Sequence, residues 1–545
     1  MIKYKISPQK IILIFTGILF GFFLLLPMVT ILCKSFFEDG NATLEFYANL
    51  FSDGSIVRAF GNSVFVSSVS GLITTVLAFI PAYAINYTNI NSKIKKIIST
   101  LIMFPMLLPT ITYGFAIIYS FGNQGLITKL LGRQLVDIYG IAGLIIGYVI
   151  YTLPVSFMLI NNTMGYIDKK FMVVSRMMGD SRLKCFWTTV VMPLISTLAV
   201  SFIQSFTLSF TDYGIPAALA GNVELLSTRL YNEMLGSLPD FNTGSAVSII
   251  MLLPSILSII LISVLNKYNI RYNKISVIEL TKSRARDIIF GLISAVILFC
   301  VLSVFVVIFI VPFVEQWPYR MNFSLEHITG IFSDNSLMNV YKNSLLVAFM
   351  TSIFGTLVVY STALVSARRG EHRRYGKLPD TISLITNTIP GMVLGVAYLL
   401  CFKGTFMHNT FAILVICNIV HYFSSPYLMM KSSLEKLNAS WETTARLMGD
   451  SWIKTVIRII TPNAVSTLLE VFGYFFVNAM VTVSAVIFLA STRTMIITAK
   501  IKELQHFANF NEIFVLSILI LITNLAVKGL VRLFAVIRKK KGKSI

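Results

Sequence analysis

Runs of about 20 apolar residues recur along this chain, and a helix of that length crosses the roughly 30 Å hydrocarbon layer of a bilayer, where no water satisfies free N–H and C=O groups. Twelve runs can be read: 11 to 33, 60 to 86, 97 to 121, 139 to 161, 194 to 211, 244 to 266, 288 to 313, 343 to 367, 382 to 402, 408 to 429, 465 to 489 and 513 to 535. The fifth is short, and the tenth is interrupted by the polar stretch NIVHYFSSP, which starts at Asn418. The pattern predicts an all-α integral membrane protein with about twelve transmembrane helices.

The polar segments repeat as well as the apolar ones. SRMMGDSRLK, from Ser175 to Lys184, returns as ARLMGDSWIK, from Ala445 to Lys454. FGNSVFVSS aligns with VYKNSLLVAF, placing Asn62-Ser63 on Asn343-Ser344, and LLPTITYG aligns with TIPGMVLG, placing Pro109 on Pro390 and Gly114 on Gly395. Chance likeness of two apolar chains accounts for shared Leu and Phe, but not for shared Asn, Ser, Pro and Gly at matched places. The chain therefore divides into a first repeat, 1–266, a basic linker, 267–287, and a second repeat, 288–545. Six spans in each give the repeats parallel orientation, which suits a pseudo-twofold axis along the membrane normal and a solute path between the halves.

Only 13% of residues are charged and 56% are hydrophobic, far from soluble averages, yet the net charge is +21. The positive residues occupy alternate loops: Lys93, Lys95 and Lys96 after the second run, six Lys and Arg between 267 and 286, and Arg368 to Lys377 after the eighth. The intervening loops are acidic, with Glu38, Glu45, Glu224, Glu233 and Asp240. This is the signature of topology rather than of nucleic-acid binding, and it predicts that both termini and the basic loops are cytoplasmic. The five cysteines have no paired spacing, so neither a disulfide framework nor a metal site is indicated. The chain carries no G-x-x-x-x-G-K-[ST], H-E-x-x-H or G-x-S-x-G motif; it is expected to be no enzyme and to hold no ATPase site.

Both decapeptides fall between the fourth and fifth spans of their half, and they share Arg176/Arg446, Met178/Met448, Gly179/Gly449, Asp180/Asp450, Ser181/Ser451 and Lys184/Lys454. The residues before each predict a short amphipathic helix along the membrane surface, with Phe171, Val174 and Met178 on one face, as are Trp441, Ala445 and Met448 in the second copy. Gly179 and Gly449 then let the backbone bend, Asp-Ser caps the next helix, and Pro193 and Pro462 mark the approach to spans 5 and 11.

This arrangement resembles the EAA loop of the inner-membrane permeases of ABC importers, in which a Gly follows the short helix and a Pro follows about a dozen residues later. The Glu position of that pattern is Val173 here and Thr443 in the second copy. The resemblance implies a type I ABC importer permease fold in a bacterial inner membrane. It also implies that Arg176, Met178, Gly179, Asp180, Arg446, Met448, Gly449 and Asp450 belong to coupling loops. Their partners would be a separate cytoplasmic ABC ATPase, a homodimer that holds the ATP, and an extracytoplasmic solute-binding protein. Fused double permeases with two sets of six spans resemble the branch for ferric iron, 2-aminoethylphosphonate and thiamine, and SFTDYGIPAALAG and TVSAVIFLAS look like segments of that branch. Ferric iron or a phosphonate is the solute so implied.

Ionisable and strongly polar residues inside spans are costly and default to functional candidates. Glu470 and Asn478 of span 11, Gln204 and Asp212 of span 5, and Asn387 of span 9 are the candidates for the path, while Asn418 and His421 are expected to satisfy partners between helices. The rival reading is an ion-gradient-driven secondary transporter of twelve spans, whose usual Gly-Asp-Arg motif after span 2 is replaced here by NYTNINSKIKK.

Overall fold

The computed structural model describes residues 7–538, except 39, 53, 135, 269–282 and 369–376, with the backbone of the last helix continuing to Lys541. Most of the expected linker 267–287 thus lies outside the described residues. Among the described residues, nine helices are long and apolar enough to cross a bilayer: spans 1 (Pro8–Phe36), 2 (Ser55–Tyr87), 4 (Ile141–Gly165), 5 (Arg182–Thr211), 6 (Phe241–Lys267), 7 (Arg284–Ser303), 8 (Asn335–Ala367), 11 (Trp452–Val481) and 12 (Phe510–Arg538). Span 9 is a pair, Lys377–Thr388 and Gly391–Phe402, bent by 100°, and span 10 is a pair, Phe411–His421 and Ser424–Glu435, bent by 57°. Span 3 is split further, into Ser92–Leu101, a 3₁₀ turn at Phe104–Leu107, and Thr110–Phe121.

The matched prolines explain two of the breaks. Pro109 and Pro390 each precede the second piece of their span, in extended conformations with φ −63° and −58° and ψ 145° and 144°. A proline cannot donate to the preceding turn and pushes the residue before it out of the helical region. Pro193 and Pro462 behave differently from expectation, because spans 5 and 11 run straight through them. In each, a wide π turn (Trp187–Val191 and Val456–Ile460) comes just before the proline and absorbs its missing N–H. Span 5 therefore starts at Arg182 rather than near 194, and span 11 ends at Val481 rather than near 489.

Asn-Ser at the start of spans 2 and 8 does the same work twice. Asn62 Nδ2 donates to the carbonyl of Glu224 (3.1 Å), and Ser63 Oγ accepts from the N–H of Leu226 (2.9 Å), at the free end of the helix Leu226–Leu235. Asn343 Nδ2 donates to Met495 O (3.0 Å), and Ser344 Oγ accepts from Ile497 N (2.7 Å), at the start of Ile497–His506. Inside each half the helices meet through small hydroxyl residues, which allow close approach and hydrogen bonds across the interface. Thr74 and Thr152 are 2.9 Å apart, and Ser156 and Ser205 are 2.6 Å apart.

The halves are interleaved. Span 1 packs on span 6 of its own repeat and also reaches across to the second: Thr16 Oγ1 is 3.1 Å from Thr362 Oγ1, Tyr398 OH donates to Phe23 O at 2.6 Å, and the Phe20 and Phe423 rings lie 4.6 Å apart. Span 7 crosses the other way, with Phe290 4.3 Å from the Tyr83 ring and, just past the helix, Val304 O accepting from Ser120 Oγ at 3.1 Å. Span 12 also reaches across, since Asn524 Nδ2 donates to Leu107 O at 2.9 Å and Ser517 lies 3.1 Å from Thr112. Expressed as two chains divided within 269–282, the halves should co-purify, and Thr16→Cys with Thr362→Cys should join them covalently on mild oxidation. Halves that purify apart and do not cross-link would contradict the interleaving.

Candidate functional site: coupling loops and path

The two decapeptides fold identically. The short helices Lys170–Met177 and Ser440–Leu447 end at Gly179 and Gly449, whose φ of +84° and +80° suits glycine because it lacks a Cβ. The N–H of Gly179 bonds to Arg176 O (3.2 Å) and that of Asp180 to Ser175 O (3.1 Å); Gly449 and Asp450 make the same bonds to Arg446 O (3.0 Å) and Ala445 O (2.9 Å). This paired closure is the Schellman motif. Ser181 and Ser451 then cap the next helix, accepting from Lys184 N and Lys454 N at 3.3 Å. Lys184 bonds to Asp180 at 2.7 Å, and Lys454 pairs with Asp450. The Lys184 ammonium and the Ser175 hydroxyl hold the Asp180 carboxyl below its ordinary range. Arg176 reaches back to Asp180 O at 3.4 Å.

Of the apolar face expected along the membrane surface, Phe171, Val174 and Met178 are exposed, as is Met448 in the second copy, whereas Ala445 is buried. Ser175 and Ala445 are the buried residues of these helices, while Met178 and Met448 are both 79% exposed and Met177 and Leu447 stand equally free. The reason is the Schellman turn, which directs the chain back beneath the helix and leaves its last apolar side chains projecting. Each loop is also tied to its own half. Arg368, at the end of span 8, donates to Leu437 O (2.8 Å) and Asn438 O (3.3 Å) and lies 3.3 Å from Glu442, whose carboxyl is pushed up by burial and drawn down by that guanidinium. At the end of span 2, the Tyr87 ring receives Lys169 at 5.7 Å.

At the opposite end of spans 5 and 11 the chain turns back into the protein. Asp212, 7% exposed, accepts from Thr110 Oγ1 (2.7 Å) and Ile215 N (2.9 Å) and so caps the short helix Gly214–Leu219. That helix packs so closely on span 3 that a Cβ on Gly114 would strike Ala218, and a Cβ on Gly395 would strike the backbone of Ala485 in the matching segment. Tyr231, in the helix Leu226–Leu235, meets Phe488 of that matching segment, with the rings 6.2 Å apart. Gln505 Nε2 donates to Ala217 O at 2.7 Å, and Lys502 sits over the Tyr213 and Tyr231 rings at 5.9 and 5.8 Å.

Midway along span 11 lies a cavity of about 480 Å³, lined by Ser466, Glu470, Tyr474 and Asn478 from that span and by Lys528 and Arg532 from span 12, with Met106 and Met429 beside them. Of the residues expected on a path, Glu470 and Asn478 meet here. Gln204, half-buried in span 5, Asp212, and Asn387, exposed just before the break in span 9, do not line it. Lys528 and Arg532 are the residues that sequence reasoning missed, although two cations within an apolar run are themselves a signal. Asn418 and His421 depart from expectation: among the described residues, neither amide atom of the fully buried Asn418 finds a partner, nor does His421 Nδ1, because span 10 bends right after them.

Two interleaved six-span repeats, each with a capped surface helix before its fifth span, define a membrane permease. The chain matches the binding-protein-dependent transport system inner membrane component family over residues 74–272 and again over 359–536, well over half its length, and it belongs to that family. It is 25% identical over 504 residues to the ferric transport system permease protein FbpB of Actinobacillus pleuropneumoniae, covering 89% of this chain and 72% of that one. A match to the sulfate transport system permease protein CysT of Synechococcus elongatus, 20% identical over 263 residues, takes in 48% of this chain but 92% of that one. The trehalose/maltose transport system permease protein MalG of Thermococcus litoralis is 23% identical over 279 residues, 46% of this chain and 92% of that one. A single-length permease thus corresponds to about half of this chain, as a fused double permease requires. Gly395→Ala should cost about 1–3 kcal/mol through overpacking against Ala485, read as a lower melting temperature of the purified protein; an unchanged melt would mean that the returning segment does not pack so tightly.

Proposed function

We propose that this chain forms the solute path of an ATP-driven importer and is worked by a separate ABC ATPase, a homodimer, docked on the loops around Gly179 and Gly449. The observation that carries this reading is the duplicated loop: two surface helices of identical closure, each presenting an exposed apolar pair, Met177-Met178 and Leu447-Met448. Exposed apolar patches rimmed by charge suit a protein partner. The ties of Arg368 to the Leu437 and Asn438 carbonyls and of Lys169 to Tyr87 give a displaced loop a rigid connection to spans 8 and 2. ATP binds and is hydrolysed on the partner subunits, and this chain supplies the conformational change.

In this reading the repeats are 1–266 and 288–545, both termini and the basic loops face the cytoplasm, and the acidic loops receive an extracytoplasmic solute-binding protein. Closure of the ATPase pair draws the loops together and rocks the halves, opening the far end where Lys502, Tyr213 and Tyr231 now meet. The solute is ferric iron or a phosphonate such as 2-aminoethylphosphonate, the former supported by the likeness to FbpB. Membership of a binding-protein-dependent family weighs against the ion-gradient alternative. Gly179→Asp combined with Gly449→Asp should abolish solute uptake and reduce co-purification of the ATPase by about tenfold or more, the loss of ~1.4 kcal/mol or more of docking energy. Uptake and association that persist in the double variant would refute the coupling role.

A further inference from the structure

The cavity beside span 11 breaks the symmetry that governs the rest of the molecule. Span 12 begins Phe510-Asn511 and span 6 begins Phe241-Asn242, with Ser517 and Ser248 both buried seven residues on. In that register Ile259 and Ser263 of the first half stand where the second has Lys528 and Arg532. Aligning Pro193 with Pro462 sets Thr197, Ser201, Ser205 and Ser209 against Ser466, Glu470, Tyr474 and Asn478. The first set is small, hydroxylic and buried, and Ser205 is spent on Ser156 at 2.6 Å. The second set lines an open hollow. Residues needed by the shared machinery would be expected in both halves; these charges occur in one.

Along span 12, Lys528 and Arg532 are four residues apart and so lie on one face. Across from them span 11 presents its own four-residue ladder of hydroxyl, carboxylate, phenol and amide. Among the described residues, Lys528, Arg532 and Glu470 form no ion pair, although all three line the same cavity. Both cations stand exposed toward the C-terminal end of span 12, free to take an anion, and one carboxylate leaves an excess of one positive charge. A guanidinium and an ammonium with hydroxyl donors nearby form a receptor for tetrahedral or planar oxyanions. We infer that this hollow binds a phosphate-like oxyanion of the transported solute, so that a phosphonate passes as its anion, and iron passes within an anionic oxygen-ligand complex rather than as a bare cation. Glu470 stands against over-tight binding, which a path must avoid if its solute is to leave. The inference rests on reading the chain as a solute permease, and it makes the site one-sided.

The test is titration of the purified full-length chain in detergent at low ionic strength with inorganic phosphate and with methylphosphonate, followed by calorimetry. Lys528→Gln with Arg532→Gln should weaken binding at least about tenfold, since bonds to charged groups are the strong ones. Glu470→Gln should tighten it, a gain that a misfolded variant cannot produce, and Ser263→Ala should leave it unchanged. Phospholipid carried through purification, measured by mass spectrometry, should be the same in the wild type and the double variant. No oxyanion binding by the wild type, or equal affinity in the double variant, would overturn the inference. So would a change confined to retained anionic phospholipid, which would make the hollow a headgroup site. No ATPase is needed for the titration: Gly179→Asp with Gly449→Asp should keep oxyanion binding, and Lys528→Gln with Arg532→Gln should keep ATPase association, so the two readings fail separately.

Discussion

Every interruption of a helix inside a bilayer strands N–H and C=O groups that water cannot reach, and the architecture of this protein follows from how those groups are satisfied. Spans 3, 9 and 10 are broken, and the chain re-enters the protein after spans 5 and 11. Asp212 supplies an acceptor for one returning segment, and Ser63 and Ser344 supply acceptors for the helices that follow. Gly114 and Gly395 let the returning backbones approach closely enough to be shielded. At these breaks and returns a small or polar side chain from a distant segment lies beside the irregular backbone.

That requirement explains which parts were legible in sequence. Asn62-Ser63, Pro109 and Gly114 stood out because they recur in the second half, and each proves to serve a broken or returning segment. What they serve was not legible, because Ser63 meets Leu226 across 163 residues and no local pattern encodes such a pairing. Phe-Ser-Asp, which recurs at 51–53 and 332–334, is a signal the sequence reading passed over, and Asp334 caps span 8 through Ser336 N at 2.7 Å. Asn418 and His421 show the reverse case: polarity in span 10 marked a bend rather than a satisfied pair. The exposure of Met178 and Met448 was not legible, because periodicity locates an apolar face but does not say what covers it.

Duplication and its violation carry different information. Matched residues, such as the closures at Gly179 and Gly449 or the anchors at Tyr87 and Arg368, belong to mechanics that both halves share. Glu470, Lys528 and Arg532 have no charged counterparts, and they gather at one hollow. A permease assembled from two copies of one plan can thus keep common levers while letting a single half specialise in what it conveys.

The exchanged first spans set a timetable for biogenesis. Thr16 waits for Thr362, 346 residues later. At a synthesis rate of about 5–20 residues per second, the side of span 1 that faces the second half waits roughly 17–70 seconds for it. During that interval the side of span 1 that later meets Thr362 and Tyr398 has no contact from the second half, so its final seat forms only after the eighth and ninth spans have been made.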